Sequence, residues 1–395
     1  MKKSVILALG LLVLFAGEIL KVYFIMPFPG SQRLNSIDIA YFLHRNILWL
    51  RLIGLILVIP PMVHYLSKGS ARLRILLSGI VFLYGVIFYL FNFKFLAEKM
   101  FYQPGNKRML APAENRVDTN RLVIGGFING EARAYPIEII GYHHQVQDSI
   151  GGQPVLVTYC TVCRTGRIYS PMVQNRYEHF RLVGMDHFNA MFEDQTTKSW
   201  WRQVTGEAIA GPRKGISLEE MPSGQMRLGT WISQHPGTLI LQPDTTYNQE
   251  YADLQGFDSG TVKSSLERRD SLSWKFKSWV IGVSQGGYAK AYDWNQLVKT
   301  KVINDQIHQI PLALQLDRDG MSFHVWNRKV DGEILRFSWN DSLRAMEDIQ
   351  THSLWDGGGK AIRGPLQGKE LGSLQAYQQF WHSWNNFHPN TSTYQ

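Results

Sequence analysis

The sequence predicts an α-helical membrane region of three helices, followed by a β-rich α+β globular module of two tandem homologous repeats. Three observations carry this. Apolar stretches long enough to cross a bilayer are confined to the first hundred residues. The rest of the chain resembles itself at a nearly constant offset. Short runs rich in β-branched residues alternate there with Gly and Pro turns.

The apolar stretches run over residues 4–26, 47–66 and 73–96. At about 1.5 Å per residue, roughly 20 residues cross a hydrocarbon core. Lys2-Lys3 followed by the apolar run Val5–Phe15 also fits a signal peptide, so cleavage within residues 1–17 stays open. Glu18 and Lys21, one helical turn apart, are expected at the outer interface with their charged ends reaching water. Pro60-Pro61 is expected to kink or end the second helix. Lys68, Arg72 and Arg74 place the loop between the second and third helices on the cytoplasmic side. The expectation is therefore an inner-membrane protein that meets the lipid bilayer through residues 4–96 and has its globular part extracytoplasmic.

The formal charge of +9 does not mark a nucleic-acid binder. Residues 1–96 hold ten Lys/Arg and two Asp/Glu, leaving 31 basic and 30 acidic residues for the remainder. Excess positive charge beside membrane segments sets topology, and the globular part has no basic stripe to neutralise phosphates. The sequence names no protein partner.

VIGGFINGEARAY at 123–135 matches VIGVSQGGYAKAY at 280–292, an offset of 157 that also pairs Asp148 with Asp305 and Pro154 with Pro311. At an offset of 153, Pro212 pairs with Pro365, Trp231 with Trp384 and His235-Pro236 with His388-Pro389. This gives a membrane region over 1–98, a linker over 99–117, one repeat over 118–243, a polar connector over 244–277 and a second repeat over 278–395. Each repeat is expected to open with a two-stranded turn (Leu122–Ile124 and Ala132–Tyr135) and a short helix after Pro136. The strand Gln153–Tyr159 should follow, paired with Gly166–Ser170.

The two repeats differ where chemistry is possible. Cys160 falls opposite Asp317, Cys163 opposite Gly320 and His143 opposite Thr300. Positions shared by both repeats suit fold-making, whereas the thiols and the histidine occur once. Two thiols spaced C-x-x-C close a small disulfide or bind one metal ion. Arg164 occupies the place of the histidine that haem attachment needs. A metal would recruit His143, with His144, Met185 and His187 as weaker candidates, and a thiolate–imidazole–thioether set suits copper or zinc. The plainer alternatives are a structural disulfide, packing roles for the histidines and a core role for Trp200-Trp201.

A His and an Asp before Gly-Gly-x-Pro-Val, then Thr-Tyr-Cys-x-x-Cys, then a Trp and Gly-Pro-x-x-G, resemble the bacterial DUF3179 family over nearly all of residues 118–395. In that family the first motif is commonly His-Glu where this chain has His143-His144, and Cys-Pro-Leu-Cys where it has Cys160-Thr161-Val162-Cys163. The resemblance implies no activity.

Three functions compete. The first is a metal-binding domain built on Cys160, Cys163 and His143. The second is a non-catalytic binding or scaffold module with an inert disulfide. The third is a thiol–disulfide oxidoreductase in which Arg164 or Arg167 replaces the helix N-terminus that ordinarily lowers a thiol pKa. No nucleophile-elbow motif or Gly-rich phosphate loop is present.

Overall fold

In the computed structural model, which describes residues 2–395, the apolar stretches fold as α1 (Lys3–Tyr23), α2 (Ile37–Lys68) and α3 (Ala71–Phe93). At 21, 32 and 23 residues, all three are long and apolar enough to cross a membrane. α2 begins ten residues earlier than expected, with Asp38 in its first turn offsetting the helix dipole. Its added turns set the rings of Tyr41 and His44 edge-on to Trp200, at 5.1 and 5.3 Å. The helix also runs through Pro60 and Pro61 to Lys68. Proline already holds φ near the helical value, and the lost N–H donors are tolerated in apolar helices better than in soluble ones.

Glu18 and Lys21 depart from the interfacial expectation. The Glu18 carboxylate is enclosed between the helices, paired with Lys21 at 2.9 Å and with Arg51 at 2.5 and 3.0 Å. Asn92 of α3 donates to it at 2.9 Å. Arg51 supplies the second cation that makes enclosure of the carboxylate tolerable.

Two compact units emerge, cut differently from the repeat boundaries. The first holds the chain up to residue 102 together with 178–202 and 207–217. Its sheet is antiparallel, in the order Ala208–Ala210, Trp200–Arg202, Asn189–Asp194, Phe180–Asp186. It is tied to the helical part by Met185 N–H to the Ile25 carbonyl at 2.8 Å and by Arg181 to Glu98 at 2.7 Å. Trp200 and Trp201 are core residues, their indole N–H groups bound to Glu193 and Asp194 at 3.0 and 2.9 Å.

The second unit, residues 103–177, 203–206 and 218–395, is β-rich. Its first half contains β1 (Leu122–Ile128), β2 (Glu131–Pro136), α4 (Ile137–His143), β3 (Gln145–Ile150), β4 (Gln153–Cys160), β5 (Thr165–Tyr169), β6 (Ser223–Arg227), α5 (Leu228–Gln234) and β7 (Leu239–Leu241). The order recurs in β8 (Trp279–Gln285), β9 (Tyr288–Asp293), α6 (Trp294–Thr300), β10 (Val302–Ile307), β11 (Ile310–Leu316), β12 (Phe323–Asn327), β13 (Ala376–Phe380), α7 (Trp381–Phe387) and β14 (Ser392–Thr393). One sheet contains β6-β1-β2-β7 in that order, and another is ordered β13-β8-β9-β14. β7 runs parallel to β2, and β14 runs parallel to β9.

Equivalent side chains explain the shared sequence. A Cβ on Gly125 would lie 2.4 Å from the Trp231 ring, and one on Gly282 would lie 2.1 Å from Trp384, so only glycine admits the indole. Tyr135 donates to Asp148 at 2.9 Å, and Tyr292 to Asp305 at 3.0 Å. Asp148 also pairs with Arg133 and Lys107 and so serves the framework in the same manner as Asp305, which pairs with Lys290.

Candidate functional site

β4 and β5 form a hairpin in which Cys160 pairs with Thr165, so Thr161-Val162-Cys163-Arg164 is its tip. The chain reverses here with Arg164 at φ 54°, a left-handed conformation, and no helix follows. Cys160 and Cys163 stand as two thiols, 1% and 0% exposed.

Arg164 is wholly buried and holds the tip in place. It donates to Gln378 Oε1 at 2.9 Å, to the Phe257 carbonyl at 2.8 Å and to the Asp258 carbonyl at 3.0 Å. Its guanidinium lies over the Trp279 ring at 3.7 Å. Arg167 donates to Thr165 Oγ1 at 2.5 Å and to the Gly166 carbonyl at 2.9 Å, and lies over Tyr377 at 3.2 Å. Both arginines expected to serve the thiols are thus committed to holding segments together.

The cation at the thiols is Lys277. Its Nζ donates to the Val162 carbonyl, inside the C-x-x-C turn, at 2.7 Å and meets His382 Nε2 at 3.2 Å. Burial pushes its pKa down to about 8, and the negative charge of ionised Cys163, Cys160 and Glu267 opposes that shift. Thr161 Oγ1 donates to Glu267 at 2.6 Å. His382 Nε2 also lies 3.1 Å from the Val162 carbonyl, and its ring stacks on Phe276 at 4.2 Å. Burial and the nearby ammonium push the His382 pKa down to about 3. Cys163 is anchored through its backbone, its carbonyl accepting from Phe380 N–H at 2.9 Å.

The residues expected as metal ligands occupy separate settings. His143, at the end of α4, turns its Nε2 to the Tyr251 hydroxyl at 2.7 Å and lies among the Tyr142 and Tyr247 rings. His144, at φ 60°, ends the helix, and its Nδ1 lies 3.0 Å from the Tyr159 carbonyl. Burial pushes its pKa down, which favours the neutral ring. Met185 and His187 belong to the first unit, where His187 pairs with Asp186 at 2.7 Å. Among the described residues, no group of three or more His, Cys, Asp or Glu side chains is arranged to hold a metal ion.

Sequence reasoning missed Lys277, Glu267 and His382 because they stand more than a hundred residues from the thiols, in the connector and the last helix. One signal was present. At the 153-residue offset His382 falls opposite Gly229, a difference between the repeats of the kind that singled out the cysteines.

A family model described as a protein of unknown function, DUF3179, matches residues 106–391. No curated protein and no solved structure matches the chain. The matched span contains the hairpin thiols, Lys277, Glu267 and His382, and on that match the chain belongs to the DUF3179 family.

Proposed function

We propose that the chain is a membrane-anchored thiol protein whose Cys160–Cys163 pair exchanges two electrons with disulfides on the extracytoplasmic side. One observation carries the reading: Lys277 is partly buried and bonded into the C-x-x-C turn through the Val162 carbonyl. An ammonium beside two sulfurs favours the thiolate, which is the nucleophile of exchange. It takes the part that a helix N-terminus takes in other C-x-x-C sites. The same positive charge opposes a copper or zinc ion between those sulfurs. His143 Nε2 is engaged with the Tyr251 hydroxyl at 2.7 Å.

In the reaction, one thiolate attacks a sulfur of the incoming disulfide, forming a mixed disulfide and releasing one thiolate of the substrate. The second cysteine, deprotonated, attacks the first. A Cys160–Cys163 disulfide forms and the second substrate thiolate leaves. Two thiols are oxidised, one disulfide is reduced, and the released protons go to the departing thiolates. Burial of both sulfurs makes the pair selective, because reaction waits for a local opening of the hairpin tip. The extracytoplasmic side follows from Lys68, Arg72 and Arg74 between α2 and α3.

The test is equilibration of the full chain, in lipid nanodiscs, against mixtures of reduced and oxidised glutathione, followed by acid quench and mass measurement of alkylated thiols. The expected result is interconversion of dithiol and Cys160–Cys163 disulfide, with a midpoint between roughly −300 and −120 mV. A pair that never forms the disulfide, or that retains one zinc per chain through both sulfurs, overturns the reading.

A further inference from the structure

The second repeat lacks the thiols, yet it is not merely a support. Around Asp317, the residue opposite Cys160 in the sequence comparison, lies a cavity of about 670 Å³ in the second unit. This falls within the roughly 300–1,000 Å³ typical of small-molecule sites.

Its lining has three properties. First, Trp339, on the strand Phe337–Asn340, is only partly buried and presents indole surface to the cavity. Second, the charged lining is nearly balanced, four carboxylates against three cations, so no single sign of ligand charge is selected. Third, planar polar groups are fixed by one of their atoms while another is left over. Gln234 donates Nε2 to the Gly357 carbonyl at 3.2 Å, keeping Oε1. Gln315 Oε1 accepts from Trp326 at 2.8 Å, keeping Nε2. Asp356 Oδ1 accepts from the Gly358 and Lys360 amides at 2.9 Å each, keeping Oδ2. Asp317 Oδ2 lies 3.1 Å from His324 Nε2, keeping Oδ1.

We propose that this cleft binds a neutral carbohydrate of about two hexose units, with one pyranose ring stacked on Trp339. A sugar hydroxyl both donates and accepts, and vicinal pairs match planar amide and carboxylate side chains. The C–H face of the ring is apolar and packs on an indole. Side chains already held in place lose little entropy on binding, which is what a weakly hydrophobic ligand requires. A strongly charged ligand would leave part of the balanced lining unpaired. The site is independent of the thiol chemistry.

The experiment uses the full chain in lipid nanodiscs, so that no glucoside or maltoside detergent competes. Maltose, cellobiose and N,N′-diacetylchitobiose are titrated by calorimetry, with saturation-transfer NMR to map the bound face. At least one sugar is expected to saturate. Trp339→Ala should weaken it about tenfold and Asp356→Asn severalfold, the scale of a lost ring contact and of a lost charged hydrogen bond. The glutathione midpoint of the cysteines should not move. Should Trp339→Ala prove unfolded by its thermal transition, Gln234→Ala at the end of α5 replaces it, again with a severalfold loss. The proposal is overturned if none of the three sugars saturates, or if the folded variants bind as well as the parent.

Discussion

Lys277 donates a hydrogen bond of 2.7 Å to the carbonyl of Val162, so a partly buried ammonium is fixed to the backbone between the two cysteines. A mobile lysine would spend its charge in solvent. This one is tied to the turn, and each sulfur that ionises lowers the cost of keeping it there. Lys277→Met should raise the thiol pKa values by about one unit, slowing alkylation near neutral pH about tenfold. Iodoacetamide trapping as a function of pH measures this directly. Equal rates in parent and variant would remove Lys277 from the chemistry.

The depressed pKa of His382, about 3, makes a prediction about stability. In the unfolded chain the ring titrates near 6.5. Between those values the unfolded state binds the proton and the folded state does not, so stability falls as pH drops from about 6.5 towards 3. From pH 7 to pH 5 the loss from this one group is about 2 kcal/mol. His382→Phe, which keeps a ring against Phe276, should flatten urea-unfolding midpoints over that interval. His144 is shifted in the same direction and leaves a residual slope. An unchanged slope in the variant would show that His382 is protonated in the fold.

How much of this was legible in the sequence depends on the range of the interactions. The opening hairpin and helix of each half follow local rules: a Gly-containing turn, a strand into Pro136, and a helix that ends at His144 in the left-handed conformation. The Cys160–Cys163 hairpin was readable from its β-branched strand and from what the corresponding stretch of the later sequence lacks. Its surroundings were not. Lys277 and Glu267 lie in a connector without periodicity, and only the tertiary fold brings them to the turn. Arg51 was overlooked for the opposite reason. A charge in an apolar stretch gives no sign of its partner, and Glu18 lies 33 residues away on another helix. The Tyr251 hydroxyl that meets His143 Nε2 was equally hidden, because it lies 108 residues away in the connector.

The recurring order of elements can be tested energetically. Trp231 donates to Thr238 Oγ1 at 2.8 Å, and Trp384 donates to Thr391 Oγ1 at 2.8 Å, each indole lying against its glycine. If these are copies of one fold, Trp231→Phe and Trp384→Phe should cost similar amounts. Each loses one buried hydrogen bond and part of a ring, roughly 2 kcal/mol in all. Chemical unfolding of both variants checks this. Costs differing by more than about twofold, beyond the usual spread between sites, would mean that the two halves use their tryptophans differently.

The membrane region offers a prediction of asymmetry. Glu18 is the single carboxylate between Lys21 and Arg51, and Asn92 and Tyr84 also donate to it. Removing Arg51 leaves Glu18 paired with Lys21, whereas removing Glu18 leaves two enclosed cations and no anion. Stranding a buried charge costs more than thinning a network that stays balanced. Glu18→Leu should therefore destabilise the helical bundle by about 3–5 kcal/mol. Arg51→Leu should cost about 1–2 kcal/mol, the scale of a lost charged hydrogen bond. The double variant should recover part of the Glu18→Leu loss, since it strands one cation instead of two. Detergent-induced unfolding of the three variants in bicelles measures the order. If Arg51→Leu proves the more damaging, the clasp is organised around the arginine, and Glu18 is its counter-ion rather than its centre.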